Sequence, residues 1–216
     1  MEKKNKEEIK IKDKKENIRN IVFWIAIFLL TILFSYIAYN VVMDKITPID
    51  TAVYDLVISL KSTGVTNVVR GITFLCSEIF MISLAIILLV IVKNKGISLR
   101  LILNMSGVAL LNKIVKAIFA RPRPVGINLV EESGYSFPSG HSMISFAFYG
   151  YVVYLIYTKV QNKCIKWISI TILTVLIPLI GLSRVYLGVH YISDVIGGFV
   201  LGLIYLMLFT KYVKER

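Results

Sequence analysis

From Ile21 to Val42 the chain runs for 22 residues without a charged side chain. A helix of that length, rising roughly 1.5 Å per residue, matches the roughly 30 Å hydrocarbon core of a bilayer. The run exceeds the roughly 7–15 residues of a signal-peptide core, and no small-residue cleavage site follows it, so a retained spanning helix is predicted. Comparable apolar runs recur at about Thr73–Val92, Leu99–Ala120, Ser142–Val160, Trp167–Gly181 and Tyr191–Tyr212. Backbone polar groups must be satisfied internally in lipid, so the expected fold is all-α, a six-span transmembrane bundle over residues 20–212. Composition agrees: 56% of the 216 residues are hydrophobic and only 18% are charged, against roughly 25% charged in soluble proteins. So little polar surface excludes a water-soluble enzyme, a disordered regulator and a nucleic-acid-binding domain.

The net charge of +12 reads as topology rather than as a polyanion partner. Eight Lys or Arg lie in the tail of residues 1–19, and Lys93, Lys95, Arg100, Lys159, Lys163, Lys166, Lys211, Lys214 and Arg216 fall in the linkers and end on that same side of a six-span chain. The positive-inside bias makes that side cytoplasmic, with both termini (1–19 and 213–216) inside the plasma membrane's cytoplasmic face. The opposite, outward side then receives residues 43–72, 121–141 and 182–190. Within the first of these, Ile49, Val53, Leu56, Val57 and Leu60 form a helical stripe suited to lying on the outer interface. Cys76 and Cys164 offer neither a disulfide framework nor metal-ligand spacing.

Ionisable residues in or beside spans are costly and mark function. Glu78, Lys113, Lys116, Arg121, Arg123, His141, Arg184, His190 and Asp194 all fall at or near the outward ends of the predicted spans. The third span closes with Lys113 and Lys116, then Ala120-Arg121-Pro122-Arg123-Pro124, whose prolines stop the helix. The fourth opens with Pro138-Ser139-Gly140-His141, where Ser139 is placed to cap the helix, Gly140 admits close backbone approach and the first-turn amides attract an anion. Before the last span, Arg184 precedes His190, and Asp194 four residues on is placed to orient the His190 ring if both share a helix face. Each segment alone also fits a plainer role: snorkelling cations, a capping turn with His141 in water, a structural His–Asp hydrogen bond. Zinc, which needs three or four ligands, is short of donors with two His and no nearby Cys. Fixed cations around helix-terminal amides suit a tetrahedral dianion such as phosphate.

Taken together the three segments resemble the signature of the type 2 phosphatidic acid phosphatase superfamily, KxxxxxxRP, PSGH and SRxxxxxHxxxD. The matching residues are Lys116 to Arg123-Pro124, Pro138 to His141, and Ser183-Arg184 to His190 and Asp194. Lys113 and Arg121 lie outside the motif register. The resemblance implies that His190 attacks phosphorus, Asp194 holds its ring, and His141 protonates the leaving oxygen and then activates water. It implies that Lys116, Arg123, Ser139, Gly140 and Arg184 bind the phosphoryl oxygens, with no metal and no organic cofactor. It implies a lipid phosphate or diphosphate delivered within the bilayer, undecaprenyl diphosphate being favoured over phosphatidylglycerophosphate or phosphatidate. A lipid phosphotransferase is the neighbouring reaction, and a transporter or scaffold is disfavoured because the charges form no trail across the bilayer. From depth alone, Glu78 is expected to line the head-group pocket or orient a clamp cation, or else to make an interhelical hydrogen bond.

Overall fold

The computed structural model describes residues 2–126 and 128–213. The cytoplasmic end expected at 213–216 therefore lies, beyond Val213, outside the described residues. Among the described residues all regular structure is helical: α1 (Glu2–Val42), α2 (Thr47–Ser59), α3 (Thr63–Phe74), α4 (Glu78–Ile91), α5 (Lys95–Phe119), α6 (Gly140–Lys159), α7 (Lys163–Tyr186) and α8 (Ile192–Tyr212).

The stretch between the first two apolar runs holds two helices rather than one. Ser62, three residues past the end of α2, caps α3, its hydroxyl accepting from the Val65 amide. The expected second span is also broken, because Ser77 caps a new helix by accepting from the Phe80 amide, so α3 and α4 meet at a 42° bend. Counting by length and apolarity, α1 from Asp13, α5, α7 and α8 can cross a membrane, and the bent α3–α4 pair would make five. The longer of the two helices left out of that count, α6, is 20 residues long. It carries Ser, Tyr and Gly in place of aliphatic residues because it lies in the middle of the bundle, packed by α5, α7 and α8, so little of it needs to face lipid.

Two devices fix the ends of the helices that carry charge. Phe137, fully buried, stacks on Phe34 of α1 at 5.8 Å between centroids and meets Phe119 of α5 edge-on at 5.2 Å. That aromatic wedge pins the segment entering α6 against the end of α5. On α8, Gly198 and Gly202 lie one turn apart on the face against α6, so close that an added Cβ would stand 2.7 Å from the Ser139 carbonyl and 2.8 Å from that of Met143. Such small-residue stripes let membrane helices approach backbone to backbone.

Candidate active site

His190 is 2% exposed and precedes α8 by two residues, in the turn that Gly188 opens with a left-handed φ of 81°. It therefore does not share a regular helix face with Asp194, as its spacing suggested. The two meet because Asp194, the third residue of α8, folds back as a cap: its Oδ2 accepts the Tyr191 amide at 2.9 Å and lies 3.2 Å from His190 Nδ1. On the ring's other side, Arg123 Nη1 lies 3.2 Å from Nε2. A carboxylate acceptor at Nδ1 and a guanidinium donor at Nε2 select the neutral tautomer with the proton on Nδ1 and a lone pair on Nε2. Burial pushes the His190 pKa down to about 4, opposed by the hydrogen bond and charge of Asp194 and aided by Lys116 and Arg184. The ring is thus neutral at pH 7, the form that can act as a nucleophile.

The cations converge on the same place from three parts of the chain. Ala120, in a left-handed conformation, ends α5, and from the segment beyond it Arg123 donates to the carbonyls of Val189 (2.9 Å), Ser133 (2.9 Å) and Gly134 (3.1 Å). Burial lowers the Arg123 pKa from its ordinary value, against Glu132 and Asp194. Arg184, 2% exposed in the last turn of α7, donates to Thr73 Oγ1 at 2.9 Å and to the Glu132 carboxylate. Lys116, one turn from the end of α5, donates to the Tyr135 carbonyl at 2.7 Å. His141 sits in the first turn of α6, next to Gly140, and its carbonyl accepts from the Cys76 thiol at 3.5 Å.

Ser139 caps α6, its hydroxyl accepting from the Ser142 amide at 3.4 Å, while its own amide donates to the Asp194 carbonyl at 2.9 Å. The anion-attracting helix start and the His–Asp pair are thereby tied together through backbone. Gly140 does allow a close approach, but of a side chain: an added Cβ would stand 3.0 Å from Asn112 Oδ1.

Lys116, Arg123, Ser139, Gly140, His141, Arg184, His190 and Asp194 thus occupy one region. The helix break at Ser77 makes Glu78 the exposed first residue of α4, where a carboxylate complements the positive end of the helix dipole. Lys113 is exposed on α5.

Residues outside the sequence motifs enter instead. Glu132 bridges Arg184 and Arg123, the latter at 3.6 Å. Arg121, set aside by its register, is 9% exposed and contacts Asp194 at 2.6 Å and Asp50 at 2.7 Å. Burial opposes its charge, but the two carboxylates hold its pKa above the ordinary value. The sequence signal for Asp50 was an acid inside an otherwise apolar interfacial stripe.

Against known proteins, residues 97–216 match the model of the PAP2 superfamily. Phosphatidylglycerophosphatase B of Bacillus subtilis is 33% identical over 192 residues, covering 87% of this chain and 94% of its own length. The undecaprenyl-diphosphatase of Sulfolobus acidocaldarius is 28% identical, covering 86% of this chain and 88% of its own. Among solved structures, the PAP2-type phosphatidylglycerolphosphate phosphatase of Bacillus subtilis superposes with a TM-score of 0.78 at 32% identity, covering 86% of this chain and 94% of that one. Aquifex aeolicus LpxE superposes with a TM-score of 0.59 at 25% identity, covering 75% and 94%. A family match over more than half the chain, together with a relative one-third identical along nearly its whole length, means that the chain belongs to the type 2 phosphatidic acid phosphatase superfamily and is a membrane lipid phosphatase.

Proposed function

We propose that the protein hydrolyses a lipid phosphate through a phosphohistidine on His190, at the outer face of the cytoplasmic membrane. The observation that carries this reading is the pair of contacts on the His190 ring, Asp194 on Nδ1 and Arg123 on Nε2. They hold a neutral imidazole with its lone pair pointing among the cations. Lys116, Arg123 and Arg184, with the amides that follow Ser139 and Gly140, bind the phosphoryl oxygens and offset charge that grows in transfer. Nε2 forms a bond to phosphorus as the bond to the leaving oxygen breaks, and His141 delivers a proton to that oxygen. His141 then takes a proton from water, which attacks phosphorus and releases phosphate and free His190. No step needs a metal or an organic cofactor.

The substrate we favour is phosphatidylglycerophosphate, supported by likeness to Bacillus subtilis phosphatidylglycerophosphatase B over 94% of that protein. Undecaprenyl diphosphate, favoured by the sequence alone, is the second reading, supported by the Sulfolobus acidocaldarius relative. In our reading α6 and the bent α3–α4 pair also cross the bilayer, giving six spans with both termini cytoplasmic. The test is phosphate release from both lipids, side by side, by purified protein in detergent, with His190→Ala as control. Release from either lipid that His190→Ala abolishes supports the mechanism, and the faster substrate identifies the head group. Undiminished release by His190→Ala refutes it. Loss of lipid phosphate without free phosphate points to transfer onto another acceptor.

A further inference from the structure

Arg121 and Asp50 belong to neither the motifs nor the proposed phosphate-binding cations, yet both are buried and hydrogen-bonded. One arm of the Arg121 guanidinium donates to Asp194 Oδ1 at 2.6 Å and to Ser193 Oγ at 2.7 Å, and the other donates to Asp50 Oδ2 at 2.7 Å. Its face lies 4.3 Å from the centre of the Tyr191 ring. Asp50, fully buried and contributed by α2, also accepts from the Ser193 amide at 3.0 Å and the Ser193 hydroxyl at 2.6 Å. The chain of contacts Asp50, Arg121, Asp194, His190 is continuous, and the Asp194 oxygen that Arg121 holds is not the one facing His190.

We infer that Arg121 and Asp50 are positioning residues for the nucleophile: Arg121 orients the Asp194 carboxylate, and Asp50 supplies a second negative charge so that this orientation does not neutralise it. The inference rests on the proposed role of His190. As Nε2 bonds to phosphorus, the ring keeps its Nδ1 proton and becomes cationic, so Asp194 stabilises the step through its negative charge. A single guanidinium paired with Asp194 alone would cancel that charge. Shared between two carboxylates, it leaves one net negative charge in a buried cluster, where charge acts at short range through little water. Asp50 thereby also ties α2, an element far from the motifs in sequence, to the reaction.

Charge-neutralising Asp50→Asn keeps the shape of Asp50 and can accept at most two of its three hydrogen bonds. With folded state checked by thermal unfolding in detergent, it should lower kcat about 10–100-fold, the size seen when partners that orient catalytic ligands are removed, and leave KM nearly unchanged. In an Asp194→Asn background, where there is no carboxylate charge to preserve, the same substitution should cost less than about threefold, because coupled residues are non-additive. Equal losses in the two backgrounds, or no loss in the parent, would overturn the inference. If Asp50→Asn does not fold, Arg121→Lys takes its place in the cycle; it keeps the charge but cannot fork to both carboxylates, and the same two outcomes decide. Turnover surviving in His190→Ala would instead overturn the nucleophile reading. Additive losses with His190→Ala inactive overturn the positioning role alone.

Discussion

Gly198→Ala tests whether helix packing sets the geometry of the site. A methyl group there would stand 2.7 Å from the Ser139 carbonyl oxygen, 2.9 Å from Ser142 Cβ and 3.3 Å from the Met143 amide nitrogen, where ordinary contact begins at 3.4 Å. Two of these three atoms are backbone at the start of α6 and cannot rotate away, so α8 must separate from α6 by about 0.7 Å. Overpacking of this kind costs about 1–3 kcal/mol, partly offset by the roughly 1 kcal/mol that Ala gains over Gly in a helix. We expect a net loss of about 0–2 kcal/mol, seen as a lower midpoint of thermal unfolding in detergent. The functional loss should be larger than that figure suggests. The separation pulls on the Ser139 N–H to Asp194 carbonyl bond of 2.9 Å, which joins the start of α6 to Asp194. A misplacement near 1 Å can cost about 10²-fold in rate, so kcat should fall about 10–100-fold. Gly71→Ala in α3 is the comparison, because nothing lies within 4 Å of its added Cβ; it should be neutral or slightly stabilising and fully active. A Gly198→Ala enzyme with parental unfolding midpoint and parental turnover would refute the packing argument.

Replacing the carboxylate that bridges Arg184 and Arg123 by Glu132→Gln should free both cations for phosphate and lower the inhibition constant of inorganic phosphate about tenfold, or ~1.4 kcal/mol; an unchanged or higher constant would mean that Glu132 does not compete for the anion site. On intact cells an impermeant thiol reagent should label Val125→Cys, at a position 97% exposed, and should reach the native exposed Cys164 only after lysis; the reverse pattern would put the site in the cytoplasm. Because burial holds the His190 pKa near 4, below the roughly 6.5 of an unfolded histidine, the unfolded chain binds more protons between those values. Stability should therefore fall as pH drops from about 6.5 to 4, and should do so less steeply in His190→Gln. Unfolding midpoints across that window would show it, and equal slopes in the two proteins would contradict it.

Much of the molecule is legible from local chemistry. One uncharged run of 22 residues and five further apolar runs predict membrane helices, and Pro122 with Pro124, the Ser139 cap and Gly188 mark where those helices stop and start. Three motifs with strict spacing predict the family, because they place the same residue types at fixed separations. Where a prediction failed, a local competitor had won. Ser77 caps a helix inside an apolar run that looked continuous, and that break makes Glu78 the exposed first residue of α4. Helical spacing suggested a shared face for His190 and Asp194, but the contact is made by a side chain folding back to cap α8.

What only the tertiary structure decided is which charges pair. Arg121 and Arg123 are two residues apart and alike in sequence, yet one reaches His190 and the other is buried against Asp50 and Asp194. Asp50 lies 71 positions from Arg121 and 143 from Ser193, and Glu132 lies 52 from Arg184. Periodicity and motif spacing report on neighbours within a few turns of one helix. A buried charge finds its partner wherever the packing of separate helices brings an opposite charge within about 3 Å, since inside the bundle little water is left to take its place.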